Sequence, residues 1–339
     1  MSHLPAERKR RYGSLRDAVR SNLALVDATS PRLEERGHRS FVWDATRQPT
    51  RSHYFPVYVE LFERLERRGE IDPEEHFIVE TTTGNAGAAA ANVARKLGYD
   101  ILIFMPEDMP KSRIEDVRAQ LGPSSELRLT KPGTYVSGTV RRLKRFLATH
   151  RDGYKGKEVF HMNHSRRPES IEAIRTVTEV LLDNHLPEDT SIDACALALG
   201  NGTTFSGVGK VVQDHYSKAE LIGVEPAEAP RFYTEKYGKE KLQEAYGIEP
   251  EFHSHDLLGT GGWNVDFPNL DVSDLDRVEL TFEHEWRCKL GQLHNSGHRV
   301  GHTSAACQWV VETRSAVHDL SGVEGSTFFG LFYDPIEKY

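Results

Sequence analysis

Two short loops hold the groups best suited to bind a small charged ligand. Thr81-Thr82-Thr83-Gly84-Asn85-Ala86-Gly87 joins the apolar run Phe77-Ile78-Val79 to an alanine-rich segment. Hydroxyls, glycine and one amide in such a loop can aim backbone N–H groups and the Asn85 side chain at a ligand on a helix N-terminus. Gly200-Asn201-Gly202-Thr203-Thr204 follows a second apolar run, residues 193–199, and opens another helix. Amides and threonine hydroxyls at a positive helix end make a cup for phosphate. The loop is not a dinucleotide fingerprint, because Phe205 holds the third glycine position. Nor is it a P-loop, since no glycine lies five residues before Gly209-Lys210. Thr303-Ser304, after Gly301-His302, starts a third helix and could cap it or meet a ligand ring nitrogen. One glycine loop says little, but two in an α/β chain favour a phosphorylated ligand.

The elements that must carry these loops alternate. Strands are expected at residues 77–79, 101–105, 127–129, 159–160, 193–199, 221–224 and 327–332. Helices are expected near 15–25, from 57 to Gly69, up to Gly98, and over 112–121, 138–150, 170–184, 208–216, 237–246 and 303–317. Repeated βα units imply an α/β fold with mostly parallel sheets flanked by helices. A chain of 339 residues is long for one core, so two lobes are expected.

Composition narrows the class. A net charge of −8 argues against a nucleic-acid binder. No apolar run reaches the length of a membrane span, and the first residues lack the apolar core of a signal peptide. Cys195, Cys288 and Cys307 match no metal or disulfide spacing and read as core thiols of a reduced, cytoplasmic protein. His294, His298 and His302 recur every four residues, but glycines interrupt them and carboxylate and cysteine partners are missing, so no metal site is expected. His161 and His164 would face opposite sides of an extended strand. Arg141, Arg142, Lys144 and Arg145 read as the solvated face of a helix.

Taken together and in order, the loops resemble the fold-type-II pyridoxal phosphate (PLP) enzymes: cysteine synthase, cystathionine β-synthase and the tryptophan synthase β chain. The family's TSGNTG loop is matched by Thr82-Thr83-Gly84-Asn85-Ala86-Gly87, and its MPxxMxxxR segment by Met105-Pro106, Met109 and Arg113. Its phosphate loop is matched by residues 200–209, its IGVEP strand by 222–226, and its last glycine–hydroxyl segment by 297–306. The resemblance implies a two-lobed fold, with residues 56–160 as a small lobe inserted into a large lobe of 1–55 and 161–339. It implies PLP as cofactor, with its 3′-oxygen at Asn85, its phosphate at Gly200, Asn201, Gly202, Thr203 and Thr204, and its pyridine nitrogen at Thr303. Thr82, Thr83 and Gly84 would receive the substrate carboxylate, with His164 as a further substrate contact. A homodimer and a small amino-acid substrate are implied as well.

One position departs from the family. Its lysine segment, NPTGSxKDR, aligns with Gln48-Pro49-Thr50-Arg51-Ser52-His53-Tyr54-Phe55-Pro56, which puts Tyr54 where the lysine stands. A phenol cannot make the lysine's covalent link to PLP. The leading expectation is a lyase or transferase working by β-elimination or β-replacement, with PLP bound non-covalently and His53 or Tyr54 moving protons. The alternative is a PLP-free relative that binds another phosphorylated ligand, with Arg51 adding a contact, as a catalyst or as a silent sensor or partner subunit. Lys111 and Lys210 lie near the matched loops but read as surface residues.

Overall fold

The computed structural model describes residues 4–261, 267–320 and 325–339, with the side chains of 316–320 left aside. In chain order the strands are β1 (Leu25–Asp27), β2 (Arg39–Asp44), β3 (His76–Thr81), β4 (Ile101–Pro106) and β5 (Glu126–Thr130). They continue as β6 (Glu158–His161), β7 (Ala194–Ala198), β8 (Glu220–Pro226), β9 (Arg277–Thr281) and β10 (Thr327–Phe332). Helices separate most of them, as the alternation predicts.

Two compact units result. The first holds residues 1–22, 47–173 and 337–339. Its sheet runs β5-β4-β3-β6, with every pair parallel. Such strands are covered on both faces, and β4 is buried along its whole length. The helix Tyr135–Thr149 lays Leu143 and Phe146 on Phe77, Val79, Leu102 and Phe104. Its basic residues Arg141, Arg142, Lys144 and Arg145 are exposed, as expected.

The second unit holds residues 23–46 and 174–336. Its sheet runs β1-β2-β10-β7-β8-β9, parallel except for the antiparallel β1–β2 edge. Val42 and Phe332 pack there against Leu293, Val300 and Ala305.

Several local expectations are corrected. The first helix is Ala6–Arg20, not 15–25, because its buried stripe is Tyr12, Leu15 and Val19, and Leu25 enters β1. Cys288 is exposed on the helix Glu283–Asn295, whereas Cys195 and Cys307 are buried. His161 and His164 both approach one side chain, Glu80, at 3.9 and 2.9 Å. Strand β6 ends at His161, and Asn163 (φ 53°) then turns the chain back through the left-handed region. No described helix is long and apolar enough to cross a membrane.

Candidate active site

Strand β3 delivers the first loop. The helix that follows, Asn85–Leu97, is nearly all small residues on its buried side and ends at Gly98 in the left-handed region. Thr82 organises the turn: its Oγ1 accepts from the N–H groups of Gly84 (2.9 Å) and Gly87 (2.8 Å). That satisfies donors a helix start leaves open, so the Thr82 oxygen is engaged with its own loop. Gly84 has φ +142°, and a Cβ there would lie 2.9 Å from Arg113 Cδ, so any side chain at this position is strained and must displace Arg113. Arg113 is itself buried, gives its Nε to the Lys338 carbonyl at 3.2 Å and lies over the Tyr339 ring at 4.6 Å.

Lys338 is the residue the sequence did not reveal. It is 1% exposed, and its Nζ lies 3.0 Å from Asn85 Oδ1, 2.8 Å from the Thr50 carbonyl and 2.8 Å from Asp116 Oδ2. An ammonium has three hydrogens and no lone pair, so these three acceptors match its donors. Because the neighbour can only donate, the Asn85 amide presents its oxygen to Lys338. Asn85 and Thr83 are both half-buried. Lys111 and Lys210 are exposed, and Lys210 pairs with Asp214 at 2.5 Å.

The segment from Gln48 to Tyr54 lies in the same unit. Arg51 takes φ +52°, a left-handed backbone, and is exposed. Thr50 Oγ1 and Ser52 Oγ are buried and unpartnered among the described residues. Tyr54 is the first residue of the helix Tyr54–Arg68. The rings of His53 and Tyr54 lie 4.2 Å apart. Tyr54 also meets His164 edge-on, at 5.5 Å and 89°. His164 Nδ1 is 2.9 Å from Glu80 Oε2, which also accepts from Tyr58 at 3.1 Å. Neither Glu80 nor Tyr58 was foreseen. The available signal was a lone carboxylate inside the apolar run Phe77-Ile78-Val79-Glu80, which must find donors if buried.

The phosphate cup belongs to the second unit. The helix Thr203–His215 starts after Gly202, whose φ is +84°, and a Cβ at Gly202 would stand 2.4 Å from Leu270 Cβ. Asn201 Oδ1 takes the Thr203 N–H at 3.1 Å, and Asn269 donates to Thr203 Oγ1 at 3.0 Å. Gly200 is half-buried, and Thr204 lies in the first turn of the helix. Thr303 sits in the first turn of the helix His302–Leu320, with its Oγ1 buried and unpartnered among the described residues. A buried hydroxyl with an unused donor and acceptor fits a ligand ring nitrogen. Ser304 is used differently, accepting from the Tyr333 N–H at 3.0 Å. Among the described residues no group of three or more metal-ligating side chains comes together.

Residues 25–269 match the family described as pyridoxal-phosphate dependent enzyme. The chain belongs to that family. Cysteine synthases of Staphylococcus aureus are 32% identical over 187 residues, which is 55% of this chain and 56% of theirs, so the match spans little more than half of those relatives. A hydrogen sulfide-producing enzyme of Fusobacterium nucleatum has a similar structure (TM-score 0.79, 21% identity, 95% of this chain and 98% of the other). An O-acetylserine dependent cystathionine beta-synthase of Helicobacter pylori is similar too (TM-score 0.75, 20% identity, 96% of each chain). At these identities the structural matches establish the fold, the two-sheet α/β architecture of the fold-type-II enzymes.

Proposed function

We propose that this chain binds PLP without a covalent link and acts on a small amino acid by β-elimination or β-replacement. One observation carries the non-covalent part. The lysine that reaches Asn85, Lys338, is buried with three acceptors within 3.0 Å of its Nζ, one of them a carboxylate. Those three contacts occupy its ammonium hydrogens, and a covalent link to PLP would have to break them. Tyr54, aligned with the family's lysine, offers no amine.

When bound, PLP supplies an electron sink for the carbanion formed at the amino acid's Cα. The backbone amides and hydroxyls of residues 200–204 hold the phosphate at a helix start, and the Thr303 hydroxyl meets the ring nitrogen. The Asn85 NH2, fixed by Lys338, donates to the ring oxygen. Thr83 and the amides beside Gly84 take the substrate carboxylate, with Thr82 shaping that loop. Arg51, exposed, is left a contact to substrate. His53, Tyr54 and His164 handle protons. The cysteine synthases and the cystathionine beta-synthase among the similar proteins support an amino-acid substrate. A homodimer is part of the same reading, and sedimentation of the pure protein tests it.

The test of the main reading is visible absorbance and intact mass of the protein mixed with PLP, before and after borohydride. A retained chromophore without a site-specific adduct supports it. An adduct mapping to one lysine, Lys338 included, overturns the non-covalent part. No bound chromophore at all overturns PLP as the cofactor and points to another phosphorylated ligand, for a catalyst of different chemistry or a sensor.

A further inference from the structure

Glu80 is a carboxylate buried in β3, one of the two inner strands of the first unit's sheet, and is 1% exposed. It accepts from four donors. Oε1 takes the Thr81 N–H at 2.8 Å. Oε2 takes the Tyr58 hydroxyl at 3.1 Å, the His164 N–H at 3.2 Å and sits 2.9 Å from His164 Nδ1. Burial alone would raise its pKa, but the charges of His164 and His161 and these hydrogen bonds outweigh it and hold Glu80 at about 2. An ionised Glu80 can only accept, so His164 Nδ1 must carry the proton between them. In the neutral ring the lone pair then lies on Nε2. Nε2 makes no hydrogen bond among the described residues. The ring that bears it stands edge-on to Tyr54, the residue aligned with the family's lysine, and 5.6 Å from Tyr58.

We propose that His164, working through Nε2, is the proton-carrying base of this site, with Glu80 as its positioning residue. The proposal rests on the PLP reading above. Nε2 would take the Cα proton of the amino acid, and the electron pair would stay on carbon, where PLP, if bound, would supply the sink. The imidazolium so formed stays paired with Glu80 and returns its proton to the departing β-substituent. No oxidant or further reactant is needed. The charged and titratable groups around it are Glu80 from β3, Tyr54 and Tyr58 from the helix Tyr54–Arg68, and His161 from β6, on which the charge of Arg167 also acts. A purely structural Glu80–His164 pair would fill the same space, so the test must read protons.

The first readout needs no cofactor: ring 15N NMR of the protein alone, with His164 assigned by difference from His164→Gln. Where the ring is neutral its proton is expected on Nδ1, and a neutral ring protonated at Nε2 would overturn the proposal. The second follows exchange of the α-hydrogen of L-serine or O-acetylserine in D2O with PLP present. His164→Gln is expected to keep the PLP absorbance and to slow exchange by about 100-fold or more, the usual scale of one proton-transfer group. Imidazole in the buffer should restore part of the rate in His164→Ala. Glu80→Gln is expected to move the rising limb of the exchange–pH profile to lower pH, because the imidazolium loses its counter-charge. Unchanged exchange in His164→Gln with PLP bound would overturn the base assignment and leave the PLP reading standing. Loss of PLP binding in the wild type, seen before any amino acid is added, would overturn that reading and the proposal with it.

Discussion

Replacing Lys338 with methionine removes one ammonium and leaves three acceptors. The Thr50 carbonyl is buried, Asn85 Oδ1 is half-buried, and the Asp116 side chain is 17% exposed. Breaking a buried ion pair by removing one partner costs roughly 3–5 kcal/mol. Asp116 can recover some water, so the low end applies, about 3 kcal/mol. For a unit of this size that corresponds to a fall in Tm of roughly 6–12 °C. Calorimetry of wild type and Lys338→Met measures it, and the double mutant with Asp116→Asn isolates the pair. The two changes should be non-additive by at least about 1 kcal/mol. Lys338→Arg keeps the charge but cannot place three donors on one atom, so it should rescue only part of the loss. A Tm drop under about 2 °C, or strict additivity, would show that the three contacts hold nothing together.

Three other outcomes follow from the same geometry. Thr303→Val should leave the stability of the ligand-free protein unchanged or slightly higher, since the hydroxyl has no partner there, while weakening PLP binding by about tenfold in a fluorescence titration. Equal affinity would remove Thr303 from the ring contact. Gly84→Ala must fit a Cβ 2.9 Å from Arg113 at φ +142°, and should lower the urea midpoint by an amount equal to roughly 1–3 kcal/mol. Glu80 has a folded pKa of about 2 against an ordinary 4.5, so its stabilising effect is complete above about pH 4.5 and is lost as pH falls toward 2. Acid titration of stability should show about 3 kcal/mol of that loss in the wild type and a flatter curve over the same window in Glu80→Gln.

The sequence was most readable where a residue type has few other uses. Glycine, threonine and asparagine at the head of an apolar helix mark Thr82–Gly87 and Gly200–Thr204, and the alternation of strands and helices fixes the α/β class. It was least readable where the deciding partner is remote. Nothing local marks Lys338, because its value lies in Asn85, 253 residues away. His161 and His164 misled for a different reason: period-two reasoning holds only while the strand lasts, and β6 stops between them. Strands β1 and β2 went unread because their runs are short and mixed with charge. The first helix was placed too late because basic residues surround its apolar stripe.

The contact from Lys338 to Asn85 also has a bearing on how the molecule is made. During synthesis β3 and the loop after it emerge early, and the sheet of the first unit can form while most of the second is still unmade. The clamp on Asn85 arrives only after the chain has left the first unit, traversed residues 174–336 and come back with 337–339. A nascent chain can therefore own nearly all of its first core and still hold Asn85 unlatched. The latch on Asn85 therefore closes only once residues 337–339 have been made, a timing set by chain connectivity.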